Sequence, residues 1–412
     1  MKLKGFQKLT LIDQALQTWF NALQLGKPKV VDVPLQKALH RVLAEDLIAN
    51  EDLPRFDKSA MDGYAVKSAD TVGASQSKPV ILQLIHSDQV DAKQAKQVWT
   101  GNPIPKGADA VVMLENTEKR GEEELQVWSQ LAPWTNVSKA GEDTKKGVLA
   151  VKAGTRLNPY HLGLAAAFGL TGLKVAKKPK IAIIATGNEI VEVGTERAKN
   201  QIWDSNKTMV AAMCLELGAE TIDFGIAKDN TDEIAQKIKS ALKISDVVIT
   251  TGGTSVGGLD LVPDAVNRLG KPGVVVHGVA LRPAMPTAVA MLEGKPVLIL
   301  SGNPVAAVIG FEVFGRPLIS KMLGMIKTEP RPIVNAVLLR RITSALGRKT
   351  YVRVRVFMKN GGLVAEPVSA KGSGSISTMT QSNGYVIVPE NREGVSEGET
   401  VIVEMFGSLE DE

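Results

Sequence analysis

The sequence is poor in the residues that mark several common protein classes. It holds a single cysteine, Cys214, in 412 residues. One thiol cannot form an internal disulfide, which excludes a disulfide-stabilised secreted scaffold and indicates a reducing compartment. We expect Cys214 to be a small buried side chain in a helix.

Long stretches of one chemical character are also missing. The 49 Lys and Arg and 44 Asp and Glu are interspersed, so the net charge of +5 comes without a basic run that could follow a nucleic-acid backbone. The amino terminus mixes charges into its apolar positions, unlike a signal peptide. The most apolar window, Pro296 to Phe314, contains Ser301 to Pro304 and Glu312, which argues against a membrane span. These features predict a cytoplasmic protein that binds small anions, with no nucleic-acid or membrane partner.

The glycine-rich stretch Thr250 to Asp260, TTGGTSVGGLD, lacks the patterns of the common phosphate loops. It has no Gly-Lys-Ser or Gly-Lys-Thr, and no Gly-x-Gly-x-x-Gly opening a helix. Because it follows the apolar run Asp246 to Ile249, we interpret it as a buried strand ending in a loop whose backbone approaches a ligand. A tight turn without a ligand is an equally good interpretation of this loop taken alone.

The length and an ordinary composition, with 44% hydrophobic and 23% charged residues, predict about two to four domains. Apolar spacing predicts helices over Thr10 to Leu23 and Pro34 to Ile48, and short strands indicate a β-rich segment from Val80 to Val151. We therefore predict an amino-terminal region over 1–178, in which a β-rich domain is inserted, an α/β domain over 179–326, and a carboxyl-terminal β-barrel or sandwich over 327–412. In that last segment, the alternating Arg353 and Arg355 indicate a solvated strand face.

In the α/β domain, apolar strands alternate with helices, which predicts a mostly parallel sheet covered on both faces. Ligands bind beyond the carboxyl ends of such strands, where Ala185 to Glu189, Thr250 to Asp260 and Ser301 to Pro304 form loops. Asn303 can cap the helix that Pro304 begins, and the first backbone N–H groups of that helix would attract an anion. Such turns occur in every α/β protein, so an ordinary turn is the alternative.

Five motifs together resemble the molybdopterin molybdenumtransferases, the MoeA and gephyrin E-domain family. They are Phe56 to Val66, Thr100 to Val112, Gly141 to Asp143, Thr250 to Asp260 and Ser301 to Val305. The similarity runs from about Leu11 to Val403, with the motifs in family order. It implies an elongated amino-terminal part, a β-rich domain, a three-layer molybdopterin-binding α/β domain and a carboxyl-terminal β-barrel.

The resemblance also implies an activity: molybdate or tungstate is inserted into adenylylated molybdopterin, AMP is released, and Mg²⁺ assists. It implies a homodimer with the active cleft between the α/β domain of one subunit and the amino-terminal motifs of the other. The catalytic positions that match are Asp62, Asp143, Glu189, Asp229, Asp260 and Arg282, of which Asp229 and Asp260 would hold the metal. The cofactor-binding positions are Thr100, Gly252, Gly253, Ser255, Gly257, Ser301, Gly302, Asn303 and Pro304. Without the resemblance, each acid is as readily a turn, helix-start or surface residue.

The chain departs from the family pattern at three places. It has Arg282-Pro-Ala-Met285-Pro where the family usually shows Lys-Pro-Gly-Lys-Pro, Gly258 where an acid is frequent, and Asn188 where Asp is frequent. Arg282 keeps a cation, but Met285 removes the second one. These changes leave the preferred oxyanion open and keep a second hypothesis, a non-catalytic molybdopterin-binding or scaffold paralogue. A third, a nucleotide pyrophosphatase related to competence-damage proteins, is disfavoured by Ser59 to Tyr64 and by the carboxyl-terminal β segment.

Overall fold

The computed structural model describes residues 9–254, 260–368 and 372–410. The chain divides into two compact units. The smaller contains Asp32–Leu39 and Glu45–Lys174, and the larger contains the remaining residues. Within the described residues, no helix is long and apolar enough to cross a bilayer.

The first part of the chain is rich in short strands. Its elements are α1 (Ile12–Leu23), β1 (Val30–Pro34), β2 (Leu47–Ile48), β3 (Lys58–Ser59), β4 (Gly63–Val66), β5 (Val80–Ile85), β6 (Gln94–Val98), β7 (Ala110–Met113), β8 (Thr117–Arg120), β9 (Glu124–Val127), β10 (Val137–Ser138), β11 (Leu149–Val151), α2 (Pro159–Ala167) and β12 (Gly172–Ala176), with 3₁₀ turns at Leu35–Lys37, Ser68–Thr71 and Leu114–Asn116.

The smaller unit is built on a six-stranded sheet with strand order β7-β4-β6-β5-β9-β8. Alternate residues of its strands, such as Tyr64, Leu82 and Leu125, are buried on one face and form its core. Gly63 opens β4 beside β7, where a Cβ atom would overlap the carbonyl oxygen of Val112. Gly63 therefore belongs to a strand and not to a turn, and Asp62 is held at the entrance of that strand.

The predicted helix over Thr10 to Leu23 is confirmed, whereas the one over Pro34 to Ile48 is wrong. Trp19 of α1 is fully buried, and its Nε1 donates to the carbonyl oxygen of Ala290 at 2.9 Å. In the second segment only a 3₁₀ turn and β2 form. His40 adopts a positive φ of 61°, which is incompatible with a right-handed helix. Apolar spacing alone does not reveal such a break.

The α/β part of the larger unit runs from β13 to α7. Its elements are β13 (Lys180–Thr186), β14 (Ile190–Val191), β15 (Ile202–Trp203), α3 (Asn206–Glu216), β16 (Glu220–Ala227), α4 (Thr231–Ile244), β17 (Val247–Thr251), α5 (Leu261–Leu269), β18 (Gly273–His277), β19 (Leu281–Arg282), β20 (Ala288–Leu292), β21 (Lys295–Leu300), α6 (Pro304–Gly310), a π-helical turn (Phe311–Gly315) and α7 (Arg316–Met322).

The central sheet of this part has the strand order β16-β13-β17-β21-β20-β18. The first four strands are parallel, and β20 and β18 are antiparallel. One face packs on α1, α3 and α6, and the other on α4 and α5. The predicted three-layer, mostly parallel arrangement is confirmed. The sequence patterns did not predict α5, which begins at Leu261 directly after the glycine loop.

The chain ends in a closed barrel. Its elements are β22 (Ile333–Leu338), β23 (Ile342–Thr343), β24 (Lys349–Lys359), β25 (Gly362–Pro367), α8 (Ser377–Thr380), β26 (Gly384–Val388), β27 (Gly394–Val395) and β28 (Thr400–Met405). Strands β24, β25, β22, β28 and β26 pair in sequence, and β26 closes the ring by pairing with β24. Val354 and Val356 point into the barrel and are fully buried. Because β19 pairs with β24, Arg282 lies opposite Thr350 at the side of this barrel.

Candidate functional site

A cavity of about 750 Å³ lies at the carboxyl ends of β13, β17 and β21. Parallel pairing brings the ends of these three strands to the same edge of the sheet, which is where such folds bind ligands. The loops that follow the strands supply much of the wall. The predicted site residues that line it are Glu189, Asp229, Gly252, Gly253, Ser301, Gly302 and Asn303.

The paired glycines allow the chain to turn tightly against β13. Gly252 has φ of +95° and Gly253 has φ of +67°, conformations that side chains disfavour. A Cβ atom at Gly252 would lie 2.5 Å from the carbonyl oxygen of Thr186, and one at Gly253 would lie 2.5 Å from Val262 Cγ2. The wall of the cavity is therefore bare backbone here. The other two predicted loop residues, Ser255 and Gly257, lie outside the described residues.

Of the two acids expected to hold a metal, Asp229 lines this cavity and Asp260 does not. Asp229 Oδ2 accepts from the backbone N–H of Asn188, and Asn188 Oδ1 accepts from the backbone N–H of Asp229, both at 3.1 Å. Asp260 precedes α5, and its buried Oδ1 has no hydrogen-bond partner among the described residues. His277 Nε2 lies 3.8 Å from that oxygen. Burial lowers the pKa of His277, while the charge of Asp260 opposes the shift.

The loop Ser301–Asn303 separates this cavity from a second one of about 560 Å³, because Ser301 and Asn303 line both. Asn303 precedes Pro304, the first residue of α6, as predicted, but its side chain makes no capping hydrogen bond. Ser301 Oγ instead accepts from the backbone N–H of Asn303 at 3.3 Å. The side-chain amide of Asn303 is therefore available to ligands in either cavity.

The second cavity is strongly positive. Four arginines line it and no described acid does; they are Arg282, Arg341, Arg348 and Arg353. The interpretation of Arg353 as a solvated residue is wrong: it is half-buried, burial lowers its pKa, and its Nε has no hydrogen-bond partner among the described residues. Met285 also lines this cavity. The arginines of the barrel thus provide the charge that Met285 lacks.

The remaining predicted residues lie in the smaller unit. Asp62 is exposed, and its Oδ1 accepts from both the backbone N–H and the hydroxyl of Thr100, each at 2.7 Å. The backbone bond first, and the hydroxyl bond second, lower the pKa of Asp62. Asp143 lies between β10 and β11, with its backbone N–H donating to Leu53 O at 3.0 Å. Thr100 therefore orients the Asp62 carboxylate with two hydrogen bonds, a contact that the sequence did not predict.

Comparison with known proteins accounts for most of the chain. Family models match at residues 10–169 (MoeA N-terminal region, domain I and II), 182–321 (described as "Probable molybdopterin binding domain") and 335–406 (MoeA C-terminal region, domain IV). The chain belongs to the MoeA family. A molybdopterin molybdenumtransferase of Bacillus subtilis is 37% identical over 90% of this chain and 88% of its own length, and one of Staphylococcus aureus strain COL is 35% identical over 95% and 94%.

A crystal structure of a molybdopterin biosynthesis MoeA protein from Pyrococcus horikoshii has the same fold. It superimposes with a TM-score of 0.83 at 31% identity, covering 97% of this chain and all of that chain. The likeness thus extends over the full length of a MoeA protein.

The described acids of this MoeA chain do not form a complete metal site by themselves. Among the described residues, no group of three or more His, Cys, Asp or Glu side chains could hold a metal alone. Mg²⁺ in nucleotide enzymes typically binds one or two carboxylates and completes its shell with phosphate oxygens and water. Asp229 lines the cavity and offers one such carboxylate, whereas Asp260, whose Oδ1 lies 3.8 Å from His277 Nε2, is not among the residues that line it.

Sequence reasoning missed two cavity residues of this MoeA chain, Asp204 and Asn206. Both are at least nine-tenths buried, and each has a side-chain oxygen without a hydrogen-bond partner among the described residues. The only signal in the sequence, Asp-Ser-Asn ahead of a helix, is typical of ordinary helix capping. It was the burial of these oxygens that distinguished them.

Proposed function

We propose that this MoeA-family chain is a molybdopterin molybdenumtransferase that acts in molybdenum cofactor biosynthesis. It inserts molybdate or tungstate into adenylylated molybdopterin and releases AMP, with Mg²⁺ required. The observation that carries this proposal is the pair of adjoining cavities that share Ser301 and Asn303. One has bare backbone and acids, which suit a phosphoanhydride with its cation, and the other has arginines, which suit an oxyanion.

Different residues of the larger cavity bind and cleave the phosphoanhydride. Backbone N–H groups around Gly252 and Gly253, with the Ser301 loop, hold phosphate oxygens. Asp229 and Asp260 would hold Mg²⁺, which, when bound, withdraws negative charge from those oxygens. Glu189 accepts the proton of the water that attacks phosphorus, so that the P–O bond breaks and AMP leaves. The side chains thereby keep water, phosphate and leaving group in one geometry.

The arginine-lined cavity receives the incoming oxyanion. Arg282, Arg341, Arg348 and Arg353 provide fork-shaped donors for the oxygens of molybdate or tungstate. This concentration of charge offsets Met285 and supports a catalytic protein over a non-catalytic scaffold paralogue. It does not distinguish the two oxyanions, whose shapes and charges are alike.

We further propose a homodimer in which Asp62, Thr100 and Asp143 of one subunit complete the cleft of the other. Asp62 suits this role because it is exposed, and because two hydrogen bonds from Thr100 orient its carboxylate. An exposed carboxylate that is already oriented by a neighbouring residue is typical of a group that meets a cation or substrate.

The test is to incubate the purified protein with adenylylated molybdopterin and Mg²⁺, with molybdate, tungstate or neither. AMP release and metal bound to the pterin are both measured. Release that depends on an oxyanion and stops when Mg²⁺ is chelated is expected. Pterin binding without AMP release under any condition would favour the scaffold paralogue instead.

A further inference from the structure

Three oxygens in the wall of the larger cavity have no hydrogen-bond partner among the described residues. They are Asp204 Oδ2, Asn206 Oδ1 and Thr254 Oγ1. Buried polar atoms in folded proteins are nearly always hydrogen-bonded, so such a group of exceptions points to a missing ligand. Asp204 and Asn206 are only 4% and 8% exposed, which leaves little room for bulk water to serve them.

The protein holds the rest of both side chains in place. Asp204 Oδ1 accepts from the backbone N–H of Lys207 at 3.1 Å, at the start of α3. The Lys207 ammonium binds Glu192 and Asp223 at 2.9 and 2.8 Å and stays 4.0 Å from Asp204 Oδ2.

Asn206 is fixed in a similar way. Its Nδ2 donates to the carbonyl oxygen of Gly302 at 2.7 Å, which ties α3 to the loop shared by the two cavities. The amide orientation is therefore set, and Oδ1 must be the atom left over. Asp204 Oδ2, whose one close charge is the Lys207 ammonium at 4.0 Å, and Asn206 Oδ1 are thus left without a hydrogen bond among the described residues.

Two such acceptors in the wall of one cavity, on residues two positions apart in the chain, suit a ligand edge with two adjacent N–H donors. Phosphate oxygens do not fit, because the Asp204 carboxylate repels them. The amino-pyrimidinone ring of a pterin has such an edge, formed by its 2-amino group and N3–H. Adenine has a single amino group flanked by acceptor nitrogens. On these grounds we infer that Asp204 and Asn206 accept hydrogen bonds from the amino-pyrimidinone edge of the pterin and orient it in the cavity. The inference rests on the proposed function.

Calorimetric titration of the intact protein under argon tests this inference with four probes: molybdopterin, AMP, pterin and lumazine. Lumazine carries an oxygen where pterin carries the 2-amino group. We expect the wild type to bind pterin roughly ten- to a hundredfold more tightly than lumazine, the range of a charge-assisted hydrogen bond. Asp204→Asn should weaken molybdopterin and pterin by a similar factor, leave AMP unchanged and abolish the preference over lumazine.

The control variant is Glu192→Gln, which removes one charge from the same Lys207 cluster but does not alter a residue of the cavity wall. It should bind all four probes as the wild type does. Equal binding of pterin and lumazine by the wild type would overturn the inference without any variant. So would an Asp204→Asn protein that keeps its molybdopterin affinity, or one that loses AMP affinity alone.

Measuring AMP release by the wild type tests the proposed function separately from the pterin inference. A protein that selects pterin through Asp204 yet releases no AMP would refute the transferase and leave the inference standing. A transferase whose Asp204→Asn variant binds molybdopterin normally would refute only the inference. Failure of the wild type to bind either molybdopterin or pterin would refute both.

Discussion

Arg353 and Arg355 lie two residues apart on β24 but have different surroundings. Arg353 lines the arginine-rich cavity, whereas Arg355 pairs with Glu410, its Nε lying 2.6 Å from Oε2. If this cavity receives the oxyanion, Arg353→Met should raise the molybdate or tungstate concentration for half-maximal AMP release by about ten- to a hundredfold. Arg355→Met is the matched control and should leave it unchanged. Equal effects of the two substitutions would contradict an oxyanion site at Arg353.

Asp260 should matter through its charge and not through its size. Asp260→Asn keeps the shape but removes a ligand charge for Mg²⁺, so AMP release should fall about a hundred- to a thousandfold, with saturation shifted to higher Mg²⁺. Asp264→Asn, an exposed acid one turn further along α5, should change neither quantity. Steady-state rates over a magnesium series provide the comparison. A normal rate in Asp260→Asn would remove this residue from the mechanism.

Asp204 should reduce the stability of the folded protein at neutral pH. Burial raises its pKa above the ordinary 3.8, only partly offset by the hydrogen bond from Lys207 N, so ionisation costs more in the folded than in the unfolded chain. Below about pH 4 the Asp204 carboxyl is protonated in both states, so the folded chain does not bear the cost of burying its charge. The folded chain loses stability as pH rises from there through the folded-state pKa. Asp204→Asn should therefore raise Tm at pH 7, with the gain shrinking as pH approaches 4. A lower Tm at pH 7 would contradict this account.

At the residue scale, the sequence predicts backbone-driven positions better than positions defined by burial. Gly252, Gly253 and Ser301 could be anticipated because strand ends and paired glycines have a recognisable pattern. Arg353 and Asp204 could not, since each looks like an ordinary surface or capping residue until its neighbours in space are known. Arg353 lies on β24, which pairs with β19. Its neighbours in the cavity, such as Arg282, are therefore more than fifty residues away in the sequence.

At the scale of elements, the turn after β17 depends on glycine for space as well as for φ. Gly252→Ala would place a methyl group 2.5 Å from Thr186 O, whereas Gly294→Ala, at a similar φ of +73° between β20 and β21, meets nothing within 4 Å. Both variants carry the strain of a left-handed residue, about 1–2 kcal/mol, but only the first also has a clash. Gly252→Ala should thus lower Tm further and abolish AMP release. Similar losses in both variants would show that strain alone governs the turn.

Helices and strands form close to their predicted bounds where no distant contact opposes the local sequence pattern. The predicted helix over Thr10 to Leu23 forms at Ile12–Leu23, and the apolar run Asp246 to Ile249 lies at the start of β17, Val247–Thr251. The segment Pro34 to Ile48 failed because His40 adopts a left-handed backbone, and Arg41 turns to bind Ala176 O at 2.8 Å. A distant contact of this kind overrides helical spacing and is invisible to a local pattern.

At the scale of the whole molecule, the sequence predicts a site assembled from distant motifs, because acids more than a hundred residues apart share one family pattern. The structure brings Glu189, Asp229 and the two glycine-containing loops together at one edge of a sheet. Asp62 and Asp143 belong to the other compact unit. Their participation is the part of the proposal that requires two subunits.

Mixing two inactive variants tests that arrangement. If each cleft takes Asp62 from one subunit and Asp260 from the other, a heterodimer of Asp62→Asn and Asp260→Asn chains has one cleft with both acids intact and one with neither. Random exchange makes half of the dimers mixed, so about a quarter of the wild-type AMP release should return. The two variants are unfolded and refolded together, and each alone serves as the control. Sites formed within one chain would give no recovery, because every cleft would still lack one acid.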